Sequence, residues 1–315
     1  MTQALFDIQG VDKTYLREGQ PIAALKDFAL TLHAGEVLGL LGPNGAGKTT
    51  AIKVLTSLCE PDCGVFLWRG QPVRNKRYLR EVGVLLEGRG ALNERLSTWE
   101  NAKYFCGLRE ARFDADHFHQ LTALLGVPDV RAPVRLLSTG NKLKSALLLC
   151  LIHKPAVLLL DEPTIGLDLF GVEKLETLVR HASQAGTAVL ISSHDLQFVE
   201  RMAQRIVCIC RGRKVFDGPK SDFLHVEHAY VLKLDVMSGN APPMPDGQPA
   251  GLSWSHMKDR TWRLELRSHD ELCTVLSALM PTLPSACGLQ VERVTLKDKY
   301  LSLLSSTDEK DTCAS

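Results

Sequence analysis

The sequence predicts an α/β fold built on a parallel β-sheet, followed by a smaller α+β domain. A glycine-rich loop lies between an apolar run typical of a buried strand and a segment with helical periodicity. A second continuous apolar run ends in two carboxylates, as expected for a strand buried on both faces of a parallel sheet. After about residue 225 the pattern changes to short strand-like and helical segments around a Pro- and Gly-rich loop. A chain of 315 residues is also long for one average domain.

Composition and charge restrict the class of protein. The chain is 45% hydrophobic and 23% charged, which is typical of a globular protein with a sizeable core. A formal net charge of +1 gives no electrostatic indication of a nucleic-acid partner. The N-terminal residues do not resemble a secretory signal, and no run approaches the roughly 18 apolar residues of a membrane span. We therefore expect a protein in or on the cytoplasm, and any membrane role would have to come through a partner.

The nine cysteines do not predict a metal centre. Cys59 and Cys63 form a CxxxC pair and Cys208 and Cys210 a CxC pair, but neither is completed at zinc spacing. We interpret the cysteines as reduced thiols, and the CxC pair as small buried hydrophobes of a strand.

The strongest single signal is a G-x-x-x-x-G-K-T pattern that begins at Gly42. Backbone N–H groups of such a loop surround phosphate oxygens, and the following helix N-terminus adds partial positive charge. Lys48 is predicted to reach the β- and γ-phosphates of a nucleotide, and the Thr49 hydroxyl to bind Mg²⁺. The predicted nucleotide-binding residues of this segment are Gly42, Pro43, Asn44, Gly45, Ala46, Gly47, Lys48, Thr49 and Thr50.

Asp161 and Glu162 follow the second apolar run. Ligands bind at the carboxyl ends of the strands in open α/β sheets, so the two side chains are expected at the site. Asp161 suits a Mg²⁺-binding role, and Glu162 suits the base that deprotonates an attacking water. An acid-rich helix N-terminus would explain the charges, but not the preceding strand together with Lys48.

Two further segments belong with this site. Ser138 and Gly140 open a segment in which apolar residues recur at helical spacing, so they are predicted at a helix N-terminus that accepts phosphate. His194 ends another strand-like run, where it is placed to hydrogen-bond a γ-phosphate. An isolated histidine in that place would more often be a strand cap.

Together these motifs resemble the nucleotide-binding subunit of an ATP-binding cassette (ABC) transporter, from about Phe6 to about Leu224. GPNGAGKTT is similar to the Walker A loop of that family, VLLLDEP to Walker B, LSTGN to the signature motif and GLD to the D-loop, with His194 as the switch histidine. Tyr15 matches the aromatic residue that stacks on adenine, although alone it would be interpreted as a surface aromatic. The implied fold is a P-loop NTPase cassette over residues 1–225. It has a RecA-like parallel core, an antiparallel β subdomain and a helical subdomain at about residues 90–150.

The resemblance also implies activity and partners. Such subunits bind ATP and Mg²⁺, hydrolyse ATP, and pair head to tail as homodimers or with a second cassette. Ser138 and Gly140 of one cassette would then contact the ATP held by the other, and Asp168 would couple the two sites. The dimer would lie on the cytoplasmic face of the inner membrane, docked on a separate permease. No nucleic-acid partner is implied.

Glu87 stands where the family usually carries the glutamine of the Q-loop. A carboxylate can ligate Mg²⁺, a hard cation that prefers oxygen, and we include Glu87 among the predicted metal ligands with Thr49 and Asp161. When ionised it cannot donate a hydrogen bond. We interpret it as a working substitution in a loop that carries motion to the permease.

The signature LSTGN and the block NERLSTWEN are similar to the export branch of the family, which includes drug, antibiotic and polysaccharide exporters. In that block Ser97 or Thr98 is predicted to cap a helix, with Glu100 in its first turn. The alternative is a soluble ABC ATPase that acts in macromolecular or cluster assembly without a permease. A catalytically inactive module is disfavoured by Glu162, Lys48 and His194. The transported substrate is not predicted.

Residues 226–306 are predicted to form an accessory α+β domain, and residues 307–315 a flexible tail. A hairpin is expected around Trp262, and a helix capped by Ser268 is expected after it. Dimer support and regulation are equally compatible with this domain.

Overall fold

The computed structural model describes residues 4–86, 92–224, 230–235, 252–257, 260–280, 288–301 and 303. The chain divides into two compact units, Met1–Pro219 and Lys220–Ser315. The Pro- and Gly-rich loop at 241–251 and the predicted tail at 307–315 lie outside the described residues.

The first unit contains both β-strands and α-helices. Its strands are β1 (Ala4–Arg17), β2 (Gln20–His33), β3 (Val37–Leu41), β4 (Cys63–Trp68), β5 (Gln71–Pro72), β6 (Val82–Leu85), β7 (Val157–Asp161), β8 (Ala188–Ser192), β9 (Arg205–Cys210) and β10 (Arg213–Pro219). Its helices are α1 (Lys48–Leu55), α2 (Thr98–Leu108), α3 (Ala115–Leu125), α4 (Thr139–Leu151), α5 (Leu169–Gln184) and α6 (Leu196–Met202).

Two sheets organise the first unit. The larger has the strand order β10-β9-β3-β8-β7-β6, and all its pairs are parallel except β10 with β9. The smaller is an antiparallel sheet in the order β2-β1-β4-β5. The predicted parallel sheet with an antiparallel β subdomain is therefore confirmed.

The central strands explain why the sequence contains continuous apolar runs. Every residue of β3, β7 and β8 is buried. A strand covered on both faces has no polar side to present, so the alternation of a half-exposed strand is absent. The carboxyl ends of these three neighbouring strands meet at one edge of the sheet, directly before the loops that carry the candidate site.

Three helices, α2, α3 and α4, pack together in the region predicted to be helical. Ser97 caps α2 in a reciprocal capping box with Glu100, so of the two predicted cap residues Ser97 takes that role. Thr98 is instead buried, where its hydroxyl lies 3.0 Å from the Ser145 hydroxyl of α4. This contact ties the start of α2 to the helix that follows the signature motif.

The second unit begins with α7 (Lys220–Leu224) and contains β11 (Tyr230–Asp235), β12 (Ser255–His256), β13 (Thr261–Leu266), α8 (His269–Leu279) and β14 (Gly288–Arg293). Its antiparallel sheet has the order β12-β13-β11-β14. Leu264 and Leu266 of β13 are buried with α8 residues in one apolar cluster. Ser268 caps α8, as its position before the helix predicts. Residues 296–301 form a further short helical segment.

Candidate active site

The loop between β3 and α1 is held so tightly that only glycine fits at two of its positions. Gly47 has φ +113 and immediately precedes α1. A Cβ on Gly47 would lie 2.3 Å from the Ala24 carbonyl oxygen, and one on Gly42 would lie 2.5 Å from the Ile209 carbonyl oxygen. The loop is thus pressed against β2 and β9, which fixes the direction of its N–H groups and of the α1 N-terminus.

Lys48 is buried at the first position of α1. Its Nζ donates to the carbonyl oxygen of Gly42 at 2.7 Å and contacts that of Pro43 at 3.3 Å. The ammonium therefore lies across the loop that precedes it rather than extending into solvent. Its charge also acts on Glu162, where it lowers the carboxyl pKa against the larger effect of burial.

Thr49, Asp161 and Ser192 form a connected group of oxygens. The Thr49 hydroxyl donates to Asp161 Oδ2 at 2.9 Å, and the Ser192 hydroxyl donates to Asp161 Oδ1. Asp161 is 1% exposed at the end of β7, paired in register with Ser192 at the end of β8. Ser192 was not predicted as a site residue, although a serine that closes an apolar strand two residues before His194 was a usable signal.

The oxygen donors present fit Mg²⁺. One carboxylate and one hydroxyl, with further oxygens from substrate phosphates and water, is an ordinary Mg²⁺ set. Within the described ranges no group of three or more His, Cys, Asp or Glu side chains has metal-binding geometry, so no cage made of protein groups alone is present there. Glu87, the third predicted ligand, lies outside the described residues.

Glu162 and His194 face each other across the ends of β7 and β8. Glu162 has φ +51, a left-handed conformation that costs about 1–2 kcal/mol in a non-glycine residue. Its N–H donates to the Ser192 carbonyl at 2.8 Å, and its Oε2 accepts from the His194 N–H at 3.0 Å. The His194 Nε2 lies 3.1 Å from Glu162 Oε1, yet Oε1 receives no aligned hydrogen bond from the described residues.

Burial governs the acidity of Glu162. The residue is 6% exposed, and desolvation raises the pKa of its carboxyl above the ordinary value of 4.5. The hydrogen bond from the His194 backbone acts in the opposite direction, as do the charges of His194 and Lys48. A buried carboxylate with a raised pKa and one oxygen open to a new donor is suited to accept a proton.

Tyr15 lies near the end of β1 with 38% of its surface exposed. Its hydroxyl donates to the Cys59 sulfur at 3.2 Å and also hydrogen-bonds with Thr50 of α1. The Lys13 ammonium lies 5.7 Å from the centre of its ring. Tyr15 is therefore adjacent to the helix that begins at the glycine-rich loop, although the two are distant in sequence.

The signature and D-loop residues occupy helix starts. Ser138 caps α4, with its hydroxyl accepting from the Asn141 N–H at 3.3 Å, and Asp168 caps α5. Ser138 is exposed and Gly140 is partly exposed. Neither hydrogen-bonds with the glycine-rich loop in the part of the chain that the structure describes. The structure therefore brings together Lys48, Thr49, Asp161, Glu162 and His194, and leaves the signature residues open on the surface.

The free thiols divide between core and surface. Cys208 and Cys210 are buried, as predicted, whereas Cys59 is half-buried and Cys63 is exposed.

Among the described residues no helix is long and apolar enough to cross a membrane.

Comparison with known proteins agrees with this geometry. The family model of ABC transporters matches residues 25–165. The chain is 34% identical over 206 residues to a cobalt import ATP-binding protein (CbiO) of Rhodobacter capsulatus, which covers 62% of this chain and 73% of the relative. It is 31% identical over 225 residues to a lantibiotic transport ATP-binding protein (SrtF) of Streptococcus pyogenes, which covers 69% of this chain and 93% of the relative.

A solved structure described as the ATP-binding subunit of an ABC transporter is similar in fold. It superimposes with a TM-score of 0.62 at 25% identity, over 70% of this chain and 91% of that chain. The two relatives named above differ in what their names say they transport, and thus do not distinguish between branches of the family. Both relatives are ATP-binding proteins that match this chain over most of their own length. The chain therefore belongs to the ABC transporter family, as an ATP-binding subunit with the fold of an ABC ATPase.

Proposed function

We propose that this subunit hydrolyses ATP at a site closed by a second cassette, and that the cycle drives export through a separate membrane permease. The observation that supports the catalytic part most strongly is a hydrogen-bonded group in which Thr49 of α1 meets four residues at or just after the ends of β7 and β8, namely Asp161, Glu162, Ser192 and His194. In this group Asp161 would supply the metal-binding carboxylate and the adjacent, buried Glu162 the base, and Thr49 joins them to the helix that follows the glycine-rich loop.

In this proposal each residue has one task. The loop N–H groups and Lys48 bind the phosphates, and Thr49 and Asp161 would hold Mg²⁺, which neutralises phosphate charge when bound. Glu162 takes the proton of a water whose oxygen attacks the γ-phosphorus, while the bond from phosphorus to the bridging oxygen breaks and ADP leaves with that electron pair. His194 keeps the Glu162 carboxylate in place and reaches the γ-phosphate from its exposed side.

The position of the signature motif supports a site shared between two subunits. Ser138 and Gly140 lie at the exposed start of a 13-residue helix, where N–H groups and the helix dipole favour a phosphate. Since neither hydrogen-bonds with the loop of its own chain among the described residues, we propose that they close on the ATP of a partner cassette. ATP would then stabilise the dimer and hydrolysis would release it, which is a shift in population between two states.

Mixing two inactive variants tests the shared site. Lys48→Ala impairs the loop and Ser138→Arg blocks the signature, so neither homodimer should hydrolyse ATP. A mixed dimer contains one site that combines an intact loop with an intact signature. We expect ATPase activity to appear on mixing, whereas a mixture as inactive as its parents would contradict the shared arrangement.

The proposed direction of transport, export, is supported by the sequence motifs alone. The LSTGN signature and the NERLSTWEN block are similar to the export branch, and the permease would hold the subunit at the cytoplasmic face of the membrane. Co-expression with a polytopic membrane protein encoded by an adjacent gene should retain the subunit in the membrane fraction. If no such partner retains it, the alternative of a soluble ABC ATPase in macromolecular or cluster assembly is favoured instead.

Glu87 is proposed to act at the metal and in coupling to the permease. Glu87→Gln restores the residue that the family usually carries and adds a hydrogen-bond donor. A change in either the ATPase rate or its stimulation by the permease is expected. Unchanged values of both would show that this position is not tuned.

A further inference from the structure

The connection between α1 and β4 lies directly against Tyr15. The Tyr15 hydroxyl donates to Cys59 Sγ at 3.2 Å, and this thiol is half-buried in that connection. Burial first, and then the bond to Cys59, raise the pKa of the Tyr15 hydroxyl, whereas the hydrogen bond with Thr50 acts the other way. The phenol is therefore protonated at neutral pH and remains a hydrogen-bond donor to the sulfur.

Cys59 is held in place from two sides. Its N–H donates to the Lys53 carbonyl in the last turn of α1 at 3.2 Å. Further along the same connection, Asp62 accepts from the Lys13 ammonium at 2.7 Å and from the Thr14 N–H at 2.6 Å. The connection is thus fastened to α1 at one end and to β1 at the other, and the Cys59 thiol itself donates to the Glu60 carbonyl at 3.6 Å.

We propose that Cys59 is a positioning residue of the nucleotide site, which orients the Tyr15 ring toward the base through the contact with its hydroxyl. The inference rests on the proposed ATP-binding function and on the stacking of Tyr15 on adenine that the sequence resemblance implies. α1 carries Thr49 in its first turn, and the Lys53 carbonyl in its last turn accepts from the Cys59 N–H. One helix therefore helps to position both Thr49 at the phosphates and, through Cys59, Tyr15 at the base. Without the thiol the exposed ring gains rotational freedom, and base binding weakens while the phosphate chemistry is unaffected.

The test compares Cys59→Ala, Cys59→Ser and the matched control Cys63→Ala. Cys63 lies in the same region, but its thiol bonds to Asp12 Oδ2 at 3.0 Å and is not bonded to Tyr15. Loss of one net hydrogen bond predicts that Cys59→Ala raises the KM for ATP about threefold to tenfold, with kcat retained. Cys59→Ser keeps an acceptor and should recover most of the affinity, and Cys63→Ala should match the unmodified chain.

Inorganic tripolyphosphate separates positioning from a general structural effect because it has no base. Its inhibition constant should be unchanged by Cys59→Ala, and an equal loss for ATP and tripolyphosphate would overturn the inference. In a Tyr15→Phe background, Cys59→Ala should have no further effect, since the hydroxyl is already absent; additive losses would also overturn it.

Two outcomes distinguish the positioning role of Cys59 from the adenine-stacking role of Tyr15. If Tyr15→Ala leaves the KM for ATP unchanged, the adenine-stacking role itself is wrong, and the role of Cys59 is wrong with it. If Tyr15→Ala weakens ATP binding but Cys59→Ala does not, only the positioning role of Cys59 is overturned.

Discussion

Replacing Gly47 by alanine should damage the phosphate loop far more than the same change at Gly45. Both glycines have positive φ, +113 and +78, so alanine is strained at either position by about 1–2 kcal/mol. The surroundings differ. A Cβ at Gly45 meets nothing within 4 Å, whereas at Gly47 it would lie 2.3 Å from the Ala24 carbonyl and 3.1 Å from two side chains.

The size of the difference follows from that contact. Forcing a carbon into packed surroundings costs about 1–3 kcal/mol beyond the backbone strain, because the carbonyl belongs to β2 and has little room to move. Reduced freedom of the unfolded chain offsets about 0.4–1 kcal/mol in both variants. Gly47→Ala should therefore lower the free energy of unfolding by about 2–4 kcal/mol, and Gly45→Ala by about 1 kcal/mol or less.

Urea denaturation of both variants, together with ATP binding, measures this directly. We expect Gly47→Ala to lose ATP binding and Gly45→Ala to retain folding close to that of the unmodified chain. Equal destabilisation of the two variants would refute the steric reasoning, since backbone strain alone would then account for both.

Three further predictions concern acidity and capping. His153 accepts a hydrogen bond from Arg109 Nε at 3.0 Å, and burial together with the charge of Arg109 lowers the pKa of His153 to about 4. Below pH 6.5 the unfolded state binds the proton more tightly than the folded state, so the free energy of unfolding should fall by about 3 kcal/mol between pH 6.5 and 4. If the free energy of unfolding of a His153→Gln variant fell equally over that range, this explanation would be contradicted. Because its pKa is raised, Glu162 becomes protonated at a higher pH than an ordinary glutamate, so ATPase activity should decline on the acid side at a pH above 4.5. An ATPase rate that stays unchanged down to pH 4.5 would count against the assignment of Glu162 as the base. Ser97→Ala should lower the free energy of unfolding by about 1 kcal/mol through loss of the α2 cap, with Ser97→Thr close to neutral, and equal melting of the two variants would exclude a capping contribution.

The sequence predicted those parts of the fold and site that are encoded locally. The strand, loop and helix around Gly42 to Thr50, and the helix that begins after Ser138, each follow from contiguous residues whose pattern is specific. The parallel sheet followed because β7 and β8 are too continuously apolar for a half-exposed strand.

Contacts between distant residues could not be read in the same way. Ser192 binds Asp161 from 31 residues away, and Cys59 binds Tyr15 from 44 residues away, and no periodicity specifies either pairing. Near the start of α2, two adjacent hydroxyls were equivalent candidates for the cap. Tertiary packing distinguishes them, because the Thr98 side chain is buried against Ser145 of α4 while Ser97 caps the helix.

ATP hydrolysis by the Glu162→Gln variant tests the assignment of the catalytic base. The amide keeps the size of the side chain but cannot accept the proton of the attacking water. We predict that the steady-state rate falls about 100-fold or more while ATP binding is retained and an ATP-bound dimer accumulates in size-exclusion chromatography. Glu173→Gln, at an exposed position of α5, is the matched control and should hydrolyse ATP normally. Full turnover by Glu162→Gln would contradict the assignment of the base, and with it the mechanism proposed for this site.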